Sequence, residues 1–352
     1  MKEMKERKGF TLSLTGTPMT ERKGFTLVEL LVALVLSFIL VGAIYRSFTF
    51  QQKAYSVQDQ IAEAQQNVRM AMNVLLRDIR MAGYGMPDGG ITIGKDTFTH
   101  AIRISPKAAK VPFDSITLVG AFGTPVGYLD RTLAPASTEI YVRSSGEAAN
   151  FDSTNNKYIF IGGLESLTVL SVDGNKIVLN GQTKVRYPTA ILNAAVQSGD
   201  TDLPVINASG LVSGDVLSLG TETITITGVS TSTVTVDTDL ETAGNQGIIG
   251  NYPLGTIINP VPVFRVTAVE YALDPYTMVL TREDKAAVAD GGTAAELAGN
   301  ILDIQVNPND QNDQSRYTIA LIAQTRKPDA DYTQNGGYRQ RVLRSTVALR
   351  NL

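Results

Sequence analysis

Twenty consecutive residues, Phe25 to Ile44, carry one charged side chain, Glu29, and are otherwise apolar apart from Thr26, Ser37 and Gly42. As a helix at 1.5 Å per residue the run is about 30 Å long, the thickness of a bilayer core. The pattern then changes without a break. Ile61, Ala64, Val68, Met72, Leu75, Ile79 and Ala82 recur at steps of three and four, one apolar stripe, with Arg77, Asp78 and Arg80 off it. No Pro occurs between Phe25 and Ala82, whereas Gly83, Gly85 and Pro87 come in quick succession after it and stop the helix. The spacing predicts one continuous helix over 25–82. Its second half buries the stripe against the strand-rich domain C-terminal to it, because an isolated amphipathic helix is marginal in water.

Beyond Ile91 the period drops to two. Ser115–Val119, Glu139–Val142, Leu167–Ser171 and Lys176–Leu179 are short β-prone runs, and Asp173-Gly174 between the last two signals a hairpin. Further on come Val266–Ala272, Thr277–Thr281, Ile301–Val306, Tyr317–Ala323 and Arg341–Leu349. In the last of these Leu343, Val347 and Leu349 fall on one face, with Arg344, Thr346 and Arg350 on the other, as in a half-solvated antiparallel strand. The expected fold class is α+β, a long N-terminal helix packed on an antiparallel sheet. Residues 189–260 differ in texture, rich in Thr, Gly, Ser and Asp. Ser213–Gly220 and Thr221–Thr227 read as two strands around a Gly turn and Thr233–Asp237 as a third, a small β-module inserted in a surface loop.

Glu29 is the chemical oddity. A carboxylate at membrane depth costs roughly 2.5–3.5 kcal/mol, so it needs a partner. Scission after Gly24 creates one, the α-amine of Phe25, a cation absent from the uncut chain. The first 24 residues carry six Lys or Arg and three Glu, net +3; the whole chain is −3, which leaves −6 for the rest. Positive charge ahead of the apolar run, including Arg22 and Lys23, orients the N-terminus to the cytoplasm and exports the C-terminal body.

The stretch Lys23-Gly24-Phe25-Thr26-Leu27-Val28-Glu29-Leu30-Leu31-Val32 resembles the processing motif of type IV prepilins and type II secretion pseudopilins. The resemblance implies cleavage between Gly24 and Phe25 by a prepilin peptidase and N-methylation of Phe25. It further implies a charge pair made by Glu29 with a subunit N-terminus during assembly. C-terminal runs such as Tyr271-Ala272-Leu273, Met278–Arg282, Ile301–Val306 and Arg344–Asn351 resemble the large minor pilins of the PilW type, related to the J-type minor pseudopilin. The likeness spans about 25–185 and 262–352 and omits the middle. It implies a minor pilin that primes assembly or sits at a tip, with other pilins, the peptidase/methyltransferase and the inner membrane as partners. The expected organisation is a leader, 1–24, a transmembrane assembly segment, 25–45, an amphipathic helix, 46–83, and a pilin-like β-domain, 84–188 and 261–352, interrupted by the module 189–260. After cleavage 328 of the 352 residues remain, large for repeated packing, which favours low copy number.

Within the leader, Glu6-Arg7-Lys8-Gly9-Phe10-Thr11-Leu12 repeats Glu21-Arg22-Lys23-Gly24-Phe25-Thr26-Leu27. The first copy has Leu14 where the second has Glu29, and Pro18 interrupts it, so it lacks both the acid and a membrane-length helix. Translation from Met19 is therefore expected, or dispensability of residues 1–18. Two plainer readings of the N-terminus stay open. A secretory signal would be cut near Val41-Gly42-Ala43, and a simple anchor would not be cut; both leave Glu29 and the Gly-Phe junction unexplained.

Composition narrows the chemistry. Hydrophobic residues make up 43% and charged residues 18%, ordinary for a folded domain. The chain has no Cys, which excludes disulfides and thiolate metal sites, and a single His, His100, which excludes His-dependent triads and multi-His metal sites. His100 lies in a β-like run, Thr97–Ile104, and reads as a strand residue. Gly89-Gly90-Ile91-Thr92-Ile93-Gly94-Lys95-Asp96 approaches a phosphate-binding loop, but Asp96 stands where Ser or Thr must bind Mg²⁺, and it leads into a strand; it reads as a loop. Asn309, Asp310 and Asp313 offer oxygen ligands for Ca²⁺ at no EF-hand spacing, and a solvated hairpin loop accounts for them better. Arg339, Arg341 and Arg344 suit a solvated strand face, and the acidic balance argues against nucleic acid. No cofactor and no catalytic constellation are expected. The type II secretion pseudopilin and a membrane-anchored β-domain adhesin remain the rival functions.

Overall fold

The computed structural model describes residues 24–105, 115–239, 241, 244–274, 276–289, 291–308 and 315–349. Arg22, Lys23, the duplicated leader and the triplet Asn309, Asp310 and Asp313 lie outside the described residues. The chain divides into two units, one ending at Gln58 and the other running from Asp59 to Leu352. The α+β class holds: a 55-residue helix, Leu27–Met81, precedes antiparallel sheets.

In the first unit the helix is bare. Apolar side chains from Leu27 to Ile44 stand largely exposed, and the stretch is long and apolar enough to cross a membrane. In the second unit the predicted stripe is buried: Ala64, Val68, Met72, Leu75 and Ile79 are all at most 4% exposed. Full burial of a Leu or Ile contributes about 1.5–3 kcal/mol, so this face holds the helix against the sheets. The helix stops at Met81. Gly83 takes the left-handed conformation, φ 84°, and its N–H donates to Val119 O at 2.8 Å, tying the helix end to a strand. Two residues on, Gly85 also has positive φ, and a Cβ there would meet the Phe160 ring at 2.6 Å.

The sequence pattern predicts one antiparallel sheet under the helix and a small inserted β-module; the described residues form five sheets. The helix stripe shares its core with two of them. One has the order Ala295–Ala298, Val279–Asp284, Thr267–Asp274, Ser115–Gly120, Ile102–Ser105, and the other Ile301–Pro308, Arg316–Gln324, Gln340–Ala348. Central strand Thr267–Asp274 pairs Tyr271 with Ile116, so the intervening 150-odd residues loop out between paired neighbours. They build two six-stranded sheets. The first joins Gly127–Tyr128, Pro262–Arg265, Tyr158–Ile161, Glu165–Asp173, Lys176–Asn180 and Glu139–Tyr141, with Asp173 opposite Lys176 at the predicted hairpin. The second lies wholly within Ala190–Ile258 and has its own core, including Leu192, Leu217, Ile224 and Val236. Its entry and exit are neighbours, since Ala190 pairs with Ile258.

Two local expectations fail. The run Thr97–Ile104 is not one strand. Asp96–Phe98 pairs with Ile91–Ile93, whereas Ile102–Ser105 pairs with Ser115–Gly120, so the chain must turn between two sheets. His100 falls in that turn, exposed, 2.9 Å from Thr99 Oγ1 through its Nδ1. Gly89–Asp96 is not a loop: Ile93 pairs with Asp96, and Gly94, φ 58°, makes the tight turn of a β-hairpin.

Candidate functional site

The N-terminal junction is built by three residues. Gly24, Phe25 and Thr26 precede the helix, which begins at Leu27. The Glu29 N–H donates to Thr26 Oγ1 at 3.2 Å. In return Glu29 Oε2 accepts from the Thr26 N–H at 3.0 Å and from the Thr26 hydroxyl at 3.0 Å. This is a reciprocal capping box, the Thr-x-x-Glu arrangement that satisfies orphan donors at a helix start. The Thr26-Leu27-Val28-Glu29 string carries this capping signal in the sequence itself. Glu29 thus has a local role in the uncut chain: its carboxylate caps the helix that carries it, in the first turn, where the helix dipole favours an anion.

Phe25 is 88% exposed, and nothing lies within 4 Å of a Cβ placed on Gly24. The fold therefore exerts no demand for glycine at this position; φ is not positive and no neighbour approaches. The peptide bond between Gly24 and the exposed Phe25 thus lies just ahead of a capped helix.

Of the other candidates, Arg22, Lys23, Asn309, Asp310 and Asp313 fall outside the described residues, and no group of three or more His, Asp or Glu able to hold a metal occurs among the described residues. Arg339, read as part of a solvated face, is engaged: its Nη2 donates to Asp329 Oδ2 at 2.7 Å.

Asp78 is the residue that sequence reasoning misjudged. Placed off the apolar stripe, it is 1% exposed, with its carboxylate held by Tyr271 and Arg282. Tyr271 and Arg282 are visible in the sequence as polar groups in β-prone runs, but pairing them with Asp78 requires knowing which face of Thr267–Asp274 meets the helix.

Residues 19–45 match the prokaryotic N-terminal methylation motif, a type IV prepilin-like signature that joins the leader end, the Gly24–Phe25 junction and the apolar helix. No curated protein and no solved structure matches the chain.

Proposed function

We propose that the protein is a minor type IV pilin, inserted in the inner membrane as a single-pass prepilin, cut after Gly24, methylated on Phe25 and drawn into a pilus. The observation that carries this reading is the junction itself: an exposed Gly24–Phe25 bond, then Glu29 at position five of the cut chain, at the head of an exposed membrane-length helix. Cutting supplies a cation to the subunit N-terminus. In a filament, lipid around the helix is replaced by neighbouring helices, and Glu29 pairs with an N-terminal amine, so a misregistered subunit leaves a carboxylate unpaired in a dry core. The partners are other pilins and the prepilin peptidase/methyltransferase, and the role is structural, without a reaction of its own.

Priming or a tip position suits the bulk of the second unit. Its body would comprise a β-domain of residues 84–188 and 261–352 with the module 189–260 grafted in. The adjacent entry and exit at Ala190 and Ile258 support an insertion that leaves the host sheets continuous. Mass spectrometry of the native protein tests the processing: a methylated Phe25 N-terminus is expected, and an uncut chain built into fibres would overturn the reading. Immuno-electron microscopy against residues 189–260 tests the position, with label expected at fibre ends; label along short periplasmic assemblies selects the J-type pseudopilin, and label on the cell body alone selects an anchored adhesin.

A further inference from the structure

The apolar run ends at Ile44, and three aromatic residues come directly after it. Tyr45, Phe48 and Phe50 are 69%, 54% and 68% exposed, all on the helix Leu27–Met81. Along the axis they occupy a band of about 7.5 Å at 1.5 Å per residue. Around the axis they spread. At 3.6 residues per turn, Phe48 lies about 60° to one side of Tyr45 and Phe50 about 140° to the other, with Arg46 between Tyr45 and Phe50.

A partner helix covers a stripe of about 100° and cannot touch all three rings. A medium that surrounds the helix can. The headgroup zone of a bilayer is about 5–8 Å thick on each side, the difference between its full and hydrocarbon thickness, and matches the axial band. Aromatic rings favour this zone, and Arg46 can reach lipid phosphates from it. Within the run the one hydroxyl beyond the first turn is satisfied, Ser37 Oγ donating to Ala33 O at 2.7 Å, as hydrocarbon requires. Tyr55, 64% exposed, sits ten residues and about 15 Å past Tyr45, beyond the zone.

We propose that Tyr45, Arg46, Phe48 and Phe50 form a collar in the phospholipid headgroup layer on the exported side, and that this collar sets the depth at which the Gly24–Phe25 bond is presented. The inference rests on the reading of 25–44 as a membrane span. With the collar seated, a helix of about 30 Å places the Gly24–Phe25 junction at the opposite headgroup boundary and Glu29 about one turn inside it. Without it, sliding the helix costs only fractions of a kcal/mol per ångström, and the bond loses a fixed height.

The chain has no Cys, so one introduced Cys takes a unique label. The full-length protein with Val41→Cys, carrying an environment-sensitive fluorophore, is reconstituted in phosphatidylethanolamine–phosphatidylglycerol vesicles, and label depth is read by quenching with spin-labelled lipids. Combined Tyr45→Ser, Phe48→Ser and Phe50→Ser is expected to move the label by about one helical turn, roughly 5 Å, and to slow cleavage after Gly24 by added prepilin peptidase; Tyr55→Ser is expected to change neither. An unmoved label in the triple variant overturns the collar. A moved label with unchanged cleavage overturns its depth-setting role. Equal effects of Phe48→Ser and Tyr55→Ser on cross-linking between copies, with fixed depth, assign the rings to helix packing and overturn it too. Release of the unsubstituted protein by alkaline carbonate removes the span and the collar together, whereas retention with fixed depth removes the collar alone.

Discussion

The Tyr271 hydroxyl donates to Asp78 Oδ2 across 2.6 Å, joining the last turn of the long helix to the central strand Thr267–Asp274. Arg282 Nε reaches the same oxygen at 2.9 Å from the neighbouring strand Val279–Asp284. Burial first, and then the Asp78 carboxylate, push the Tyr271 phenol well above its ordinary range, so it remains a donor wherever the protein is folded. The three groups fix the axial register of helix on sheet, because an apolar stripe alone tolerates a shift by one turn. Asp78→Ala strands the Arg282 guanidinium, 27% exposed, and is expected to cost about 3–5 kcal/mol in urea unfolding of the detergent-solubilised protein. Tyr271→Phe removes one buried hydrogen bond to a charge and is expected to cost about 1.5–3 kcal/mol. Combined Asp78→Leu, Tyr271→Phe and Arg282→Met, which leaves no buried polar group of the clamp unpaired, should recover most of the loss of Asp78→Ala; if it does not, the clamp contributes more than the removal of mutual desolvation.

Arg186 ties the sheet of Ala190–Ile258 to the strands before it. Its Nη1 and Nη2 donate to Asp215 at 2.7 and 2.6 Å, and its Nε donates to Gly210 O at 3.2 Å. Hydrogen bonds from Arg186 hold the Asp215 carboxyl below its ordinary value of 3.8 against the opposing effect of burial. A depressed folded value means the contribution is complete above pH 3.8 and is lost as pH falls through the lower, folded value. Hydrogen exchange over residues 208–217 is expected to accelerate only below about pH 3.8, while Arg186→Ala should show the fast exchange already at neutral pH. The stability change is expected to be about 1 kcal/mol, because Arg186 keeps 31% exposure and water screens the pair. Slow exchange in Arg186→Ala at neutral pH would show that backbone contacts alone hold the joint.

What was legible in the chain was local. The apolar stripe from Ala64 to Ile79 and the breakers Gly83 and Gly85 located the helix to within two residues of Leu27–Met81 at its start and one at its end. Asp173-Gly174 announced its hairpin, and Thr233–Asp237 is a strand with the predicted bounds. What escaped was long-range. Tyr158–Ile161 and Pro262–Arg265 pair across a hundred residues, and four buried residues in Tyr158–Ile161 show no alternation to mark a strand. Sheet number depends on which edges meet, and that choice is made by packing, not by periodicity. At the junction, Gly24, Phe25 and Glu29 are legible as chemistry, and the Thr26–Glu29 cap is legible as a Thr-x-x-Glu string ahead of an apolar run.

The duplicated leader makes a simple prediction. Residues 6–12 repeat 21–27, but only the second copy leads to an acid at the Glu29 position and to an unbroken apolar run. Deletion of residues 1–18 is expected to leave cleavage after Gly24 and membrane insertion unchanged, measured by the mass of the processed N-terminus and by carbonate extraction. Loss of processing would mean that the first copy, or its charge, contributes to recognition. Gly9→Ala is expected to be silent and Gly24→Ala to slow cleavage strongly, although neither a Cβ clash nor a positive φ opposes alanine at 24.

The two roles available to Glu29 separate by substitution. As a cap, its carboxylate needs only to accept from Thr26, and a neutral amide oxygen does that nearly as well. As one half of a pair with the cut N-terminus, it needs its charge. Thr26→Ala removes the hydroxyl that accepts from Glu29 N–H and costs the helix start about 1 kcal/mol while keeping the charge. Glu29→Gln keeps the cap and removes the charge. Each variant is expected to insert, to be cut after Gly24 and to keep the same helix content by circular dichroism. Thr26→Ala is then expected to enter fibres at close to the normal level and Glu29→Gln to fail, read by immunoblot of sheared pili. The opposite ranking, with Thr26→Ala the poorer assembler, would make helix capping the reason for the acid and leave the paired-charge account without support.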